Sequence, residues 1–158
     1  MLDFQHIVQV NDLSDTTAEI ITRSQLWQGL LLRARHPEKF NSALQCETSD
    51  TESGQFIRKI TAGETQFTEQ VSLHRETKIE TNTLPGNNQI MAQSSALIEE
   101  PEPDALFVRF SYRRDLEKGA DNIDVAEYLK AAYLQLDLEA IAQIRALALS
   151  ENDQSAVN

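Results

Sequence analysis

A single cysteine, Cys46, stands in 158 residues, so no internal disulfide can form and a reducing, cytoplasmic setting is expected. Glycine is scarce as well, at five residues. The sequence holds no phosphate-binding glycine loop, no nucleophile elbow, no HExxH and no CxxC. These absences argue against dinucleotide, kinase and zinc-hydrolase chemistry. The three histidines, His6, His36 and His74, are too far apart for metal-ligand spacing. Neither a metal nor a cofactor is expected. No apolar run reaches the roughly 18–20 residues of a membrane span. The first residues, Met1–Gln5, lack the basic region and apolar core of a secretory signal. Positive charge is also short: 14 Lys and Arg against 25 Asp and Glu leave a net charge of −11. Such a surface repels phosphate backbones and anionic bilayers, so neither nucleic-acid binding nor membrane insertion is expected. The charge serves solubility.

What the chain has is apolar content, 41% of its residues, and a clear order of periodicities. This is enough for one hydrophobic core, and residues 1–150 read as a single domain. Residues 151–158 are polar and read as a frayed, disordered tail. Phe4–Val10 alternates with a period of two and predicts a strand. Thr22 and Gln25 have capping-box spacing, and Leu26, Trp27, Leu30, Leu31 and Ala34 recur at helical spacing, so Thr22–Ala34 predicts a helix. Trp27 is expected to pack between that helix and a sheet. Pro37 stops the helix, with a short further turn over Pro37–Asn41.

A run of strands follows: Ala43–Thr48, Gln55–Thr61, Thr65–Leu73, Thr77–Thr83, Gln89–Ile98 and Ala105–Arg113. Turn signals separate them, among them Gly63-Glu64 and Leu84-Pro85-Gly86-Asn87. The loop Glu99–Asp104 carries two prolines and cannot lie inside a sheet. One long helix closes the chain over Asp121–Leu149, capped at Asp121 or Asn122. Its apolar face reads Val125, Tyr128, Leu129, Ala132, Leu136, Ala140, Ile144 and Leu147. A single long helix after a large antiparallel sheet lies across one face of it.

This order, β-α-(α)-β-β-β-β-β-β-α, is that of the helix-grip fold: an α+β architecture with a curved antiparallel sheet of about seven strands wrapped around a long C-terminal helix. The segments Thr22-Arg23-Ser24-Gln25-Leu26-Trp27-Gln28-Gly29-Leu30-Leu31-Leu32-Arg33-Ala34 and Glu99–Phe110, together with Phe4–Asp12, resemble the AtaL-like family. That family belongs to the START/SRPBCC superfamily, also called birch-pollen-allergen-like. The resemblance implies a deep hydrophobic cavity between sheet and C-terminal helix. Relatives across the superfamily bind lipids, sterols, hormones or polyketides, and some cyclise polyketides. No catalytic motif carries over residue by residue.

The residues themselves sharpen the cavity expectation. A two-residue loop at Gly63-Glu64 sets Ala62 opposite Thr65. Counting outward, Ile60 then faces Phe67, Arg58 faces Glu69, and Phe56 faces Val71. Their apolar side should be the inward one. Arg58 and Glu69 would sit within ion-pair reach among apolar neighbours. They are either a polar anchor for a ligand oxygen or a self-satisfied structural pair. His6 shares the apolar face of the first strand and reads either as a general base or as a hydrogen-bonded core histidine. Tyr112, Tyr128 and Tyr133 are phenols on or beside inward faces.

The expected lining is Arg58, Glu69, Phe56, Val71, Leu106, Tyr128 and Ala132, with His6 as a further candidate. Three functions fit: binding of a small hydrophobic molecule, a polyketide cyclase-like enzyme using the same cavity, or an interaction domain with a filled core. A homodimer through an edge strand is compatible with each.

Overall fold

The computed structural model describes residues 1–86, 90–116 and 122–157. A seven-stranded antiparallel sheet has the spatial order β1-β7-β6-β5-β4-β3-β2. Its strands are β1 (Leu2–Gln9), β2 (Leu44–Asp50), β3 (Gln55–Ala62), β4 (Thr65–His74), β5 (Lys78–Thr83), β6 (Ala92–Glu99) and β7 (Phe107–Arg114). Helix α1 (Arg23–Arg35) lies between β1 and β2 in sequence, followed by a 3-10 turn over Pro37–Lys39. Helix α2 (Asn122–Val157) closes the chain. Among the described residues, no helix is long and apolar enough to cross a membrane.

The local signals act as their chemistry requires. Thr22 Oγ1 accepts from the Gln25 backbone N–H at 3.0 Å, and Gln25 Oε1 accepts from the Thr22 N–H at 2.9 Å. This capping box starts α1, and His36 ends it just before Pro37. At the β3–β4 turn, Gly63 has φ of 63°, the left-handed region that glycine enters without steric cost. The resulting register pairs Arg58 with Glu69 and Phe56 with Val71.

Two expectations need correction along α2. The helix does not stop at Leu149: it runs 36 residues, to Val157. No glycine or proline interrupts Ser150–Val157, and Asn152 accepts a 2.8 Å hydrogen bond from Gln25 of α1. The tail expected to be frayed is therefore helical to Val157. The inward stripe is also rotated. Among the described residues of α2 the buried ones are Asp137, Ala140, Ile141, Ile144 and Ala148, whereas Tyr128, Leu136 and Leu147 are exposed. The predicted cap Asp121, the turn residue Asn87 and the strand residue Gln89 lie outside the described residues.

The core sits where α1 and α2 cross the inner face of the sheet. It joins Leu26, Trp27 and Leu30 of α1 to Ile141, Ile144 and Ala148 of α2, and these to Phe56, Val71, Ile98 and Val108 of the strands. The helices touch at Gly29. A Cβ there would lie 2.3 Å from Ile144 Cγ2, so only glycine lets the two axes approach this closely.

Candidate functional site

Each inner strand has two fates. At one end its inward side chains fill the core. At the other they border a cavity of about 700 Å³ between the sheet, the end of α1 and the middle of α2. On β3 the change falls between Phe56, which is fully buried, and Arg58, which faces the cavity. On β4 it falls between Val71 and Glu69. On β7 Val108 belongs to the core, while Tyr112 lines the cavity. Thr81, Thr83 and Ser94 add hydroxyls to the cavity wall.

Arg58 and Glu69 form one polar feature of that wall. Arg58 Nε donates to Glu69 Oε1 at 2.9 Å, and Arg58 Nη1 donates to the Ala34 carbonyl at 2.8 Å. Their side chains are each 14% exposed, so the pair is largely desolvated without being sealed. The backbone of α1 thus fixes the guanidinium, and the carboxylate orients it. A charged group placed here singly would lack compensation.

A second polar cluster centres on Asp137, whose side chain has no solvent exposure. Its Oδ1 accepts from Arg33 Nη1 at 2.9 Å. Its Oδ2 accepts from Tyr112 O–H at 2.6 Å and from His6 Nε2–H at 2.7 Å. One carboxylate from α2 therefore ties down α1, β7 and β1 together. Three donors are what a buried carboxylate needs to offset its lost hydration. His6 is stacked between Phe4 and Phe110, with ring centroids 5.5 and 5.4 Å away. Its Nδ1 is buried without a hydrogen-bond partner among the described residues. Tyr112 stacks on Tyr133 at 4.0 Å with the rings 5° from parallel. Arg114 Nη1 in turn donates to the Tyr133 oxygen at 3.3 Å. Burial, reinforced by the Asp137 charge and the hydrogen bond to it, pushes the Tyr112 phenol far above its ordinary value. Tyr112 is thus a neutral phenol at any physiological pH. Burial also pushes the Cys46 thiol up, away from the thiolate a nucleophile needs.

Of the residues expected to line the cavity, Arg58 and Glu69 do so. Phe56, Val71 and Leu106 lie in the packed core instead, because α1 and the C-terminal part of α2 cover their end of the sheet. Tyr128 is 73% exposed and points to solvent, a consequence of the rotated phase of α2. Ala132 is half-buried outside the cavity wall, which α2 borders instead through Tyr133, Asp137 and Ala140. His6 lies behind the cavity wall, against the wall residues Asp137 and Phe110. The residues that sequence reasoning missed are Asp137 and Arg33. The one available signal was its spacing, an acidic side chain four residues after Tyr133 and three before Ala140, flanked by Leu136 and Leu138.

A family model described as acetylaranotin biosynthesis cluster protein L, AtaL, matches residues 7–151. The chain belongs to the AtaL family. No curated protein matches the chain in sequence. Among solved structures, this AtaL-family chain is similar to the di-domain aromatase/cyclase StfQ of the steffimycin biosynthetic pathway. The identity is 10% and the TM-score 0.74, over 96% of this chain and 52% of the other. The chain thus spans about half the length of that two-domain protein. The Zhui aromatase/cyclase from a Streptomyces species is similar over 92% of both chains, at 13% identity and a TM-score of 0.66. Ara h 8.0201 matches at 13% identity and a TM-score of 0.58, over 94% of this chain and 97% of its own. At such identities the likeness is one of fold: an α+β helix-grip domain with a seven-stranded curved sheet and a long C-terminal helix.

Proposed function

We propose that this chain binds a small, largely hydrophobic molecule, lipid-, sterol- or polyketide-like in character, in the cavity between the sheet and α2. The observation that carries the reading is the cavity itself, about 700 Å³, whose wall mixes apolar side chains such as Leu30, Ile60, Phe67, Ile79 and Phe110 with polar groups that can orient a ligand. A space of that size weighs against a filled core. Arg58 and Glu69 serve as the anchor for a ligand oxygen: the carboxylate holds the guanidinium in place, and the guanidinium keeps further N–H groups to donate. A cytoplasmic setting belongs to this reading and is supported by the chain's single cysteine.

The second reading is an aromatase/cyclase-like enzyme that uses the same cavity. Its support is the hydrogen-bonded cluster of Tyr112, Asp137 and His6 at the wall. The two readings separate on Arg58→Met. A binder loses affinity alone, whereas an enzyme loses turnover with a pH profile that traces a titrating group.

Native mass spectrometry of freshly purified protein, against its denatured mass, tests the binding reading. The expected result is a reproducible added mass that disappears on denaturation. A bare mass, together with no displacement of an apolar fluorescent probe, would count against it.

A further inference from the structure

The Tyr112 hydroxyl has one hydrogen and two lone pairs, and its carboxylate neighbour, which can only accept, fixes where the hydrogen goes. It is directed at Asp137 Oδ2, 2.6 Å away. That carboxylate cannot turn aside, because Arg33 holds its other oxygen at 2.9 Å and His6 shares Oδ2 at 2.7 Å. Nor can the Tyr112 ring swing. It stacks on Tyr133, and its backbone is paired with Phe4 on one side and Ser94 on the other. A hydrogen bond to a carboxylate is roughly twice as strong as one between neutral groups, so a neutral ligand cannot pull this hydrogen away. What Tyr112 offers the cavity is therefore oxygen lone pairs only.

We propose that the Tyr112 end of the cavity selects ligands bearing a neutral hydroxyl, which donates its hydrogen to the Tyr112 oxygen. This inference rests on the binding reading above and adds the class of ligand. A carbonyl or ether oxygen placed at the same point meets lone pairs and no donor. An anionic oxygen meets those lone pairs with the Asp137 carboxylate directly behind them. Arg58, on β3, supplies the opposite polarity, with guanidinium N–H groups that suit a carbonyl. The ligand class that matches both ends is a largely apolar alcohol or phenol with a separate carbonyl oxygen.

The test compares three probes of nearly one shape: naphthalene, naphthol and the methyl ether of naphthol. Partitioning alone favours the ether over the more polar naphthol, so a preference for naphthol reports a hydrogen bond. The wild-type protein should bind naphthol more tightly than the ether by roughly two- to ten-fold, the worth of one neutral hydrogen bond. Tyr112→Phe should keep the ether's affinity and lose the preference.

Asp137→Asn provides an independent arm. Guanidinium groups only donate, so the Asn carbonyl must face Arg33 and the amide N–H₂ must face Tyr112. The Tyr112 hydrogen is then released into the cavity, and the preference should reverse toward the ether. Equal binding of naphthol and ether by the wild type overturns the inference and leaves the binding reading standing. A preference that survives in both variants also overturns it. Binding of none of the three probes by folded wild type would instead strike the cavity reading itself.

Discussion

The two ends of this sheet are made from the same strands yet behave as different materials. At the packed end, Phe56, Val71, Ile98 and Val108 meet the helices and exclude water. At the hollow end, two residues or so further along the same strands, the inward positions hold Arg58, Glu69, Thr83, Ser94 and Tyr112. The alternation of side chains is unchanged; what changes is the cover. Near Gly29 the helices press together and onto the sheet, whereas toward the N-terminal half of α2, around Tyr133–Ala140, α1 borders the space without filling it. Tight packing is thus concentrated where the interior is apolar, and the proposed binding site lies where it is polar and hollow.

The largest expected effects come from breaking the packed end. Phe56→Ala should cost about 3–5 kcal/mol of stability in a urea titration, as deletion of a fully buried aromatic ring does. Ligand affinity of the folded fraction should be little changed, since Phe56 lies off the cavity. Gly29→Ala should cost about 1–3 kcal/mol through overpacking, because the new Cβ would overlap the Ile144 side chain. Ile144→Ala removes both Cγ atoms that the new Cβ would meet, so it should cost less stability in the Gly29→Ala chain than in the wild type, which would tie the effect to this contact.

At the hollow end the changes are smaller and affect binding. Arg58→Met should lower stability by about 1–3 kcal/mol, since Glu69 then loses its charge partner in a largely desolvated place. The double variant Arg58→Met, Glu69→Leu should regain most of the stability. If the pair is a ligand anchor, the double variant still loses affinity. If affinity also returns, the pair is purely structural. On the outer surface, Arg35→Ala removes an ion pair to Asp50, whose side chain is largely exposed, and its contact with the Phe56 ring. The ion-pair part of that loss should be under about 1 kcal/mol.

Alkaline titration sharpens the contrast without mutation. Tyr112 holds its proton in the folded state far above the value of a free phenol, mainly through burial. The unfolded chain releases that proton near pH 10, so above about pH 10 the unfolded state binds fewer protons than the native one and stability falls with rising pH. Below that pH the contribution is fully present. Phenolate absorbance should therefore show that one of the three tyrosines ionises only as the protein unfolds. Tyr112→Phe should flatten the alkaline loss of stability.

The Arg58–Glu69 pairing was legible in the sequence because a two-residue loop at Gly63-Glu64 leaves one register, and period two then fixes every facing pair. The inward row of β7 was legible for the same reason. The phase of α2 was not. Leu134, Leu136 and Leu138 alternate along the helix and all stay exposed, so apolarity surrounds the axis and no single stripe stands out. Asp137 was hidden by the same ambiguity. A carboxylate reads as solvent-facing until Arg33, Tyr112 and His6, which lie 104, 25 and 131 residues away in sequence, are seen to converge on it. Which stretch of the inner face is packed and which is hollow depends on how closely two helices approach, and a strand's own sequence does not encode that distance.

The most direct test of the division is a backbone amide NMR titration with an apolar naphthalene probe. The account predicts saturable shifts clustered at Arg58, Glu69, Thr81, Ser94 and Tyr112, with Phe56, Val71 and Val108 little moved. Shifts spread over the exposed face of α2, or equal shifts at both ends of the sheet, would contradict it.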